Sequence, residues 1–435
     1  MRTLLIATYE MGRQPFGLAS PAAWLRRAGI EVECADVSRA PLTAAALAQA
    51  DTIGFYLPMH TATRLALQLL PRVRQAAPSA RLCAFGLYAP IHADTLRAAG
   101  VNAVLGPEFE SELVDFARAQ LHAQPSTALP RLQFTLPDRS GLPPLEQYAR
   151  LEMPDGGARI SGYTEASRGC KHRCRHCPIV PVYNGQFRIV DAETVLADVR
   201  QQVERGAEHI SFGDPDFLNG PRHALRVVEA LHAEHTQLSF DVTIKVEHLL
   251  RHAALLPRLR ECGCVLITTA VESFDDAVLA KLDKGHTQQD FLEVLALTRR
   301  LGLALNPTFV AFTPWTTPAS FAHWGETIAA IDLIEHVAPV QYGIRLLIPA
   351  GSRLLELDDS AEWLGEYDPA GLSYAWKFND AATEELCQRV QPAVAAGSRA
   401  NHSRRQIFAD VFHRTAPDPA PQRATIPYLN EPWFC

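Results

Sequence analysis

Three cysteines stand close together in one short stretch of this 435-residue chain. Cys170, Cys174 and Cys177 have the spacing C-x3-C-x2-C, within the segment GCKHRCRHCP. Three thiolates on one tight loop can ligate three irons of a [4Fe–4S] cluster. The fourth iron is then left without a protein ligand, so it can chelate a small molecule, which a cluster closed by four cysteines cannot do. The loop therefore predicts a metal centre with one open iron.

A structural zinc site is the alternative use of the same loop. Zinc would take the three cysteines together with either His172 or His176. No second ligand pair at a usual zinc spacing accompanies the loop, which favours the iron–sulfur centre. The neighbouring cations Lys171, Arg173 and Arg175 would offset the negative charge of such a cluster.

Composition excludes several classes of protein. Hydrophobic residues make up 47% of the chain and charged residues 20%, which is ordinary globular usage. Nine cysteines are too sparse for a disulfide scaffold, and clustered cysteines indicate metal binding or catalysis. The net charge of −7 gives no global positive field for nucleic acid, and no stretch approaches the ~18 apolar residues that span a bilayer. We therefore expect a cytoplasmic protein whose partners include neither nucleic acid nor a membrane.

Short apolar runs alternate with helical patterns in two parts of the chain, which indicates an α/β fold with parallel sheets. Residues 1–122 predict a Rossmann-like, doubly wound domain, and residues 161–355 predict a partial (βα)6 TIM-type barrel. In such a barrel the chemistry lies at the carboxyl ends of the strands. The runs predicted as strands are 3–8, 30–34, 52–57, 81–87 and 101–105, then 162–167, 209–212, 238–244, 265–271, 304–311 and 341–347.

Two other parts complete the predicted domain organisation. Residues 123–160 are proline-rich and aperiodic, which is typical of a linker. Residues 356–435 lack a strand rhythm and predict a C-terminal extension, with a helix over 381–396 and an extended tail that ends at Cys435.

The cysteine spacing after the first barrel strand resembles that of the radical S-adenosylmethionine (SAM) superfamily, including the aromatic His176 before the last cysteine. The resemblance implies that the amino and carboxylate groups of SAM bind the open iron. One electron from the cluster then cleaves the sulfonium and releases a carbon radical. It also implies a small-molecule substrate and an electron donor such as flavodoxin or ferredoxin.

The turn after the second barrel strand, SFGDPDF, stands where this superfamily carries a Gly-Gly-Glu-type turn. By that resemblance Gly213, Asp214 and Asp216 would hold the ammonium group of SAM, with aspartate in place of glutamate. A solvated turn with aspartate caps is the alternative.

Three further polar residues follow the next strands. Glu272 and Ser273, which precede a Lys-Gly-His-Thr turn, resemble a pair that would bind the ribose or amine of SAM. Ser273 is alternatively the cap of the next helix. Lys245 would point toward the pocket mouth, where a salt bridge with Glu247 is an equal alternative.

The segment AFTPWTT resembles the part of the superfamily that packs on the SAM adenine. Trp315 is its candidate for stacking, with simple packing as the alternative. Arg345, after the sixth predicted strand, is a candidate clamp for a carboxylate, because a guanidinium can bind one bidentately.

A Rossmann-like domain ahead of such a barrel resembles the cobalamin (B12)-binding class, and the linker segment PDRSGLPPLEQY is similar to that class too. The Asp-x-His-x-x-Gly signature is absent, and TYEMG (residues 8–12) stands there instead. Cobalamin binding stays open on this pattern. The alternative is a relic domain that shapes the mouth of the active site.

The end of the chain, PYLNEPWFC, resembles the CUAEP/CCAEP-tail radical SAM proteins, named for a cysteine followed by cysteine or selenocysteine and then Ala-Glu-Pro. The last four residues of that pattern do not follow Cys435. Either the tail is short, or the next codon is a UGA meant for selenocysteine. By this resemblance Cys435 is a candidate catalytic nucleophile or metal ligand.

The leading hypothesis is a radical SAM enzyme that acts by hydrogen abstraction or radical methylation on a secondary-metabolic small molecule. Alternatively, the soft tail would present a thiophilic element such as trivalent arsenic, and the 3-amino-3-carboxypropyl group of SAM would be transferred to that element. The non-enzyme alternative is an iron–sulfur or zinc regulatory protein, or a corrinoid-binding protein.

Overall fold

The structure, a computed structural model, describes residues 1–120, 129–413 and 426–430. Its strands are β1 Arg2–Ala7, β2 Glu31–Asp36, β3 Thr52–Tyr56, β4 Arg81–Phe85, β5 Ala103–Val104, β6 Arg150–Glu152, β7 Ala158–Thr164, β8 Ser167–Gly169, β9 Phe187–Ile189, β10 His209–Phe212, β11 Ser239–Thr243, β12 Cys264–Glu272, β13 Ala304–Phe309, β14 Leu364–Asp368, β15 Ser373–Trp376 and β16 Tyr428–Leu429.

The α-helices connect and cover these strands. They are α1 Phe16–Arg27, α2 Ala44–Ala48, α3 His60–Ala76, α4 Tyr88–Ile91, α5 Ala93–Ala98, α6 Glu110–Ala117, α7 Val180–Tyr183, α8 Ala192–Val203, α9 Pro221–Glu234, α10 Val246–Arg251, α11 Leu256–Glu261, α12 Asp276–Leu282, α13 Gln288–Leu301, α14 Pro318–Ala330, α15 Ser360–Trp363, α16 Ala382–Arg399 and α17 Arg404–Phe412. No helix within the described residues is both long and apolar enough to cross a membrane.

The first five strands form one parallel sheet in the order β2-β1-β3-β4-β5. Strand β3 is buried throughout and β4 nearly so, as is usual when helices cover both faces of a sheet. From β1 the chain passes to β2 on one side, and from β2 it crosses to β3 on the other side of β1. A topological switch point therefore lies between β1 and β3. Ligands of doubly wound sheets bind outside the carboxyl ends of strands at such a point. The predicted doubly wound fold is confirmed.

The second sheet has seven strands in the order β13-β12-β11-β10-β7-β6-β16. Its strands β7 and β10 to β13 run parallel and carry the helices between them, which gives the predicted barrel-like α/β architecture. Strands β6 and β16 are antiparallel additions at one edge. A large apolar core, which includes Phe212, Phe240, Val242 and Ile267, fills the space under the helices.

The prediction of a sixth barrel strand over residues 341–347 is wrong. Residues Pro339–Gly343 form a 3-10 helix, and one parallel bridge joins Phe312 to Arg345. Pro339 favours the helical turn because its φ is fixed for a first helical position. The buried side-chain oxygen of Gln341 accepts a hydrogen bond from the backbone N–H of Phe309 at 2.8 Å. A side chain therefore satisfies the end of β13 where a sixth strand would have done so.

The proline-rich stretch before the barrel is more structured than its composition predicts. Strands β6 and β7 make a hairpin within residues 150–164, and β16 from the chain's end pairs with β6. Arg139, in the same stretch, is buried and bonds residues on both sides. It donates to Gln14 near α1 at 2.7 Å and to the backbone oxygen of Tyr163 in β7 at 2.6 Å. This segment thus joins the two sheets through buried polar contacts.

Candidate functional site

Cys170, Cys174 and Cys177 converge on one cavity of about 110 Å³, which we name the cysteine cavity. Each of the three thiols is free of disulfide bonds. The other described cysteines do not line this cavity; they are Cys34, Cys83, Cys262, Cys264 and Cys387. The described residues therefore bring three thiols, and no fourth, to one place at the carboxyl ends of the barrel strands.

Gly169, directly before the cysteine loop, and Asn219, in the turn after β10, determine the position of the loop. Gly169 has φ +75°, and an added Cβ would lie 2.4 Å from the Tyr183 ring and 2.6 Å from the backbone oxygen of Gln186. Asn219, buried just after β10, accepts from the backbone N–H of Lys171 at 3.2 Å and donates to the backbone oxygen of Gly169 at 3.4 Å. Asn219 was not among the sequence-predicted site residues, although its position directly after the aspartate turn marks it as a strand-end residue.

Glu272 forms a buried ion pair on the other wall of the cysteine cavity. Its Oε1 lies 3.2 Å from Nζ of Lys284 and 3.1 Å from Nε2 of His176. Burial alone would raise the pKa of Glu272, but Lys284 and His176 outweigh it and lower that pKa to about 2. Glu272 also has φ +71°, an uncommon conformation for a residue with a side chain, which is typical of functional sites.

Asp216 brings two histidines together beside the cysteine loop. Its Oδ2 lies 2.7 Å from Nδ1 of His248 and 3.4 Å from Nε2 of His172. Burial would raise the pKa of Asp216, but the hydrogen bonds of both histidines lower it. Lys245 approaches Nδ1 of His172 and Oε2 of Glu247, both at 3.3 Å. The predicted site residues Asp216 and Lys245 therefore line the cysteine cavity, with Lys245 also in its alternative salt bridge.

Gly213 and Asp214 hold the strand ends in place. The Asp214 carboxylate accepts from the backbone N–H of Ala166 at 2.9 Å and from the hydroxyl of Ser167 at 2.5 Å. Burial raises its pKa to about 7 despite these bonds. A Cβ on Gly213 would lie 1.8 Å from the hydroxyl oxygen of Tyr163. Neither residue lines the cysteine cavity.

A second cavity, of about 320 Å³, continues from Glu272 along the ends of β12 and β13. We name it the strand-end cavity; Ser273, Phe274, Ala311 and Thr313 contribute to its walls. The hydroxyl of Ser273 accepts from the backbone N–H of Asp275 at 3.0 Å. Asp275, and not Ser273, is the N-cap of α12. Ser273 therefore belongs to a cavity wall rather than to the helix cap.

Two predicted residues lie away from both cavities. Trp315 packs edge-on against the buried Trp363, with Lys281 over its face at 5.0 Å. Arg345 is paired with Glu384 at 3.1 Å and stacks on Trp376. Cys435 lies outside the described residues.

A third cavity, of about 310 Å³, lies between the two sheets, and we name it the intersheet chamber. It occupies the switch point of the first sheet and faces β7 of the second sheet and β8, which pairs with β9. It shares Ile179 and Pro215 with the cysteine cavity, so the two are adjacent. Sequence reasoning singled out residues 8–12, which include Glu10, as a strand end of the first sheet. It did not identify the other polar and aromatic lining residues, which include Arg13, Phe16, Tyr56, Phe109, Tyr163, Glu165 and Arg168.

Comparison with known proteins gives a family match over this region. Residues 164–314 match the Radical SAM superfamily. A tRNA-2-methylthio-N(6)-dimethylallyladenosine synthase from Desulfosudis oleivorans is 25% identical over 285 residues, or 62% of this chain and 59% of that protein. A hopanoid C-3 methylase from Methylococcus capsulatus is 24% identical over 35% of this chain and 29% of that protein. The chain thus spans less than two thirds of the length of these curated relatives.

Solved structures share the fold over a longer stretch. The cobalamin-dependent SAM radical enzyme OxsB, with aqua-cobalamin bound, has a TM-score of 0.69 at 14% identity, covering 91% of this chain and 67% of that one. The radical SAM methyltransferase TsrM from Kitasatospora setae, with tryptophan and a SAM analogue bound, has a TM-score of 0.66 at 15% identity, covering 91% and 88%. The likeness extends to both sheets of this chain.

Proposed function

We propose that this radical SAM enzyme holds a [4Fe–4S] cluster on Cys170, Cys174 and Cys177 and cleaves SAM reductively. The radical so formed begins hydrogen abstraction from a small molecule in the intersheet chamber, or its methylation with a second SAM as the methyl donor. The observation that carries this proposal is the convergence of three free thiols on a cavity that adjoins a second cavity on each side.

The donor set fits an iron–sulfur cluster with one open iron. Three thiols face the cysteine cavity, and no fourth described cysteine does. Burial raises the pKa of Cys177 to about 12, so the positive charge of bound iron is what would stabilise its thiolate. The zinc alternative has less support, because His172 is engaged by Asp216 and His176 by Glu272. Bound there, the cluster would supply the electron that reduces the SAM sulfonium.

The charges around the cysteine cavity support a place for the amino acid part of SAM. Lys245 and Lys284 offer positive charge to its carboxylate, and Glu272 and Asp216 offer negative charge to its ammonium group. The strand-end cavity, which begins at Glu272, is the proposed place for the adenosine part. There Ser273 can bond the ribose, and Phe274 and Ala311 provide apolar walls for the adenine.

The intersheet chamber is the proposed substrate site. It adjoins the cysteine cavity, and residues from both parts of the fold form its walls. The curated relatives are named for a tRNA base modification and for a hopanoid methylation. A cavity of about 310 Å³ favours a small molecule over a folded RNA.

The chamber does not fit a corrinoid as its residues stand. Its volume of about 310 Å³ is at the lower end of what drug-sized ligands occupy, and a corrin ring with its nucleotide loop is several times larger than such ligands. The Tyr56 ring packs directly on the backbone of Gly17, and no histidine is among the described residues that line the chamber. No step of the proposed reaction therefore uses cobalamin, although OxsB and TsrM bind it.

Transfer of the 3-amino-3-carboxypropyl group to a soft element, such as trivalent arsenic, is the second candidate. Its support is that Asn430 is bonded to Arg150 and Glu152 at the barrel edge, five residues before Cys435. This second candidate function includes membership in the CUAEP/CCAEP-tail group and a selenocysteine codon after Cys435. A UAA or UAG codon at that position would refute the selenocysteine.

The identity of the SAM fragment tests the proposal. The protein is reconstituted anaerobically with iron and sulfide, mixed with SAM and dithionite, and the products are identified by mass spectrometry. We expect 5′-deoxyadenosine. Methylthioadenosine would replace the proposal with the aminocarboxypropyl transfer. In the cell, a flavodoxin or ferredoxin would supply the electron, and either protein in place of dithionite should support the same cleavage.

A further inference from the structure

Carboxyl groups outnumber guanidinium groups in the walls of the intersheet chamber and directly behind them. Arg168 is the shared partner of three carboxylates, with 2.6 Å to Glu110, 2.8 Å to Glu165 and 3.7 Å to Glu108. All four side chains are largely or fully buried. One guanidinium therefore pairs with three carboxylates. Glu165 lines the chamber, and Glu108 and Glu110 lie behind its wall.

Glu10, in the loop after β1, adds a fourth carboxylate. It is 7% exposed, and its Oε2 has no hydrogen-bond partner among the described residues. Its other oxygen has only a long contact of 3.5 Å from the hydroxyl of Tyr56. A buried carboxylate oxygen without a donor is costly, so the position predicts that a ligand supplies one.

The nearby cations do not cancel this charge. Arg13 is the only other guanidinium among the described residues that line the chamber, and its Nε has no hydrogen-bond partner there either. The next buried cation, Arg139, is already paired with Asp198 at 2.8 Å. Burial and the repulsion of Glu165 raise the pKa of Glu10, and burial raises the pKa of Glu165. Burial is the largest cause of both shifts, and it outweighs the opposing effects of Arg13 on Glu10 and of Arg168 on Glu165.

We infer that the intersheet chamber binds a small molecule through a protonated amino group, which Glu10 receives at its unpartnered oxygen. This deepens the proposed function and rests on it, because it names the chemical class of the substrate. A donor on the ligand would satisfy Glu10, and its positive charge would offset the surplus of carboxylates.

The other walls of the chamber fit the apolar body of such an amine. Phe16, Tyr56, Phe109 and Tyr163 present aromatic rings, and ring faces attract a cation as well as apolar groups. Arg168 already lies within 5.8 Å of the centre of the Phe16 ring and within 5.5 Å of that of Phe109. The volume of about 310 Å³ suits a compact aromatic or branched amine.

Matched probes test the inference without knowledge of the natural substrate. Binding of 2-phenylethylamine, 2-phenylethanol and phenylacetate to the reconstituted protein is measured by calorimetry in the presence of SAM. We expect the amine to bind at least about tenfold more tightly than the alcohol, and the acid to bind most weakly. Glu10→Gln should remove the preference for the amine, whereas Glu229→Gln, on the exposed face of α9, should keep it.

Equal affinity for the three probes, or no measurable binding of the amine, would overturn the inference, and this comparison needs only the wild-type protein. Stoichiometric binding of hydroxocobalamin, seen in its absorption spectrum, would overturn it as well. Cleavage of SAM to 5′-deoxyadenosine is measured on the same samples. Cleavage without an amine preference refutes only the inference, whereas an amine preference without cleavage refutes the proposed function.

Discussion

The guanidinium of Arg139 bonds both carboxylate oxygens of Asp198, each at 2.8 Å, and both side chains are almost completely buried. Arg139 belongs to the stretch between the two sheets, and Asp198 belongs to α8 of the barrel. Asp198 also accepts from the hydroxyl of Thr164, at the end of β7. This pair fixes the position of the barrel strand that forms one wall of the intersheet chamber.

Replacement of Arg139 tests the contribution of that pair. Arg139→Met leaves the Asp198 carboxylate buried without its cation, so we expect a loss of about 3–5 kcal/mol in the free energy of unfolding. Urea denaturation of the anaerobic protein measures it. Arg200→Met, at an exposed ion pair on the same helix, is the control and should change stability little. Equal effects of the two substitutions would contradict the structural role of Arg139.

Gly213→Ala tests the close approach at the end of β10. The new Cβ would lie 1.8 Å from the Tyr163 hydroxyl oxygen, so the ring must move, at a cost of about 1–3 kcal/mol. Thermal unfolding measures the loss. Tyr163→Ala opens the same space, and the double variant should lose less than the sum of the two single variants. Additive losses would show that the two residues are not in contact.

Glu272→Gln tests the proposed contact with SAM. The amide keeps the shape of the side chain but loses the charge that faces Lys284 and the ammonium group of SAM. We expect the KM for SAM to rise about tenfold or more, with a smaller change in kcat. Glu261→Gln, exposed on α11, is the matched control. An unchanged KM for SAM would remove Glu272 from the binding site.

The free energy of unfolding should fall as pH rises through the range in which Glu108, buried behind the chamber wall, ionises. Burial raises the pKa of Glu108 from 4.5 to about 7, so the folded state binds this proton more tightly than the unfolded state. Its contribution is fully present below pH 4.5 and is lost as pH rises through about 7. Glu108→Gln should reduce that slope in denaturation measured from pH 4.5 to 8. A slope identical to that of the wild type would contradict the raised pKa of Glu108.

The cysteine loop could be predicted from the sequence because its chemistry depends on local spacing. Cys170, Cys174 and Cys177 are close in the chain, and any fold that places them after a barrel strand brings them to the strand ends. Asp216 and Glu272 could be predicted for a similar reason, since Glu272 is the last residue of β12 and Asp216 lies in the turn after β10.

Residues that act across long chain separations could not be predicted in this way. Trp315 follows a strand, as expected, but Trp363 from the C-terminal extension packs on it. Arg345 likewise pairs with Glu384 in α16. Glu10 lies in the loop after β1 and Arg168 lies in β8, and only the packing of these two parts of the chain creates the chamber. No periodicity in the sequence records which surfaces of two sheets face each other.

The direct test of the central claim compares three proteins under the same anaerobic conditions: the wild type, Cys177→Ala and Cys262→Ala. Iron and sulfide content and the yield of 5′-deoxyadenosine are measured for each after reconstitution. The account predicts about four irons and four sulfides per chain with SAM cleavage in the wild type and in Cys262→Ala, and the loss of both properties in Cys177→Ala. Retained cleavage of SAM by Cys177→Ala would contradict it.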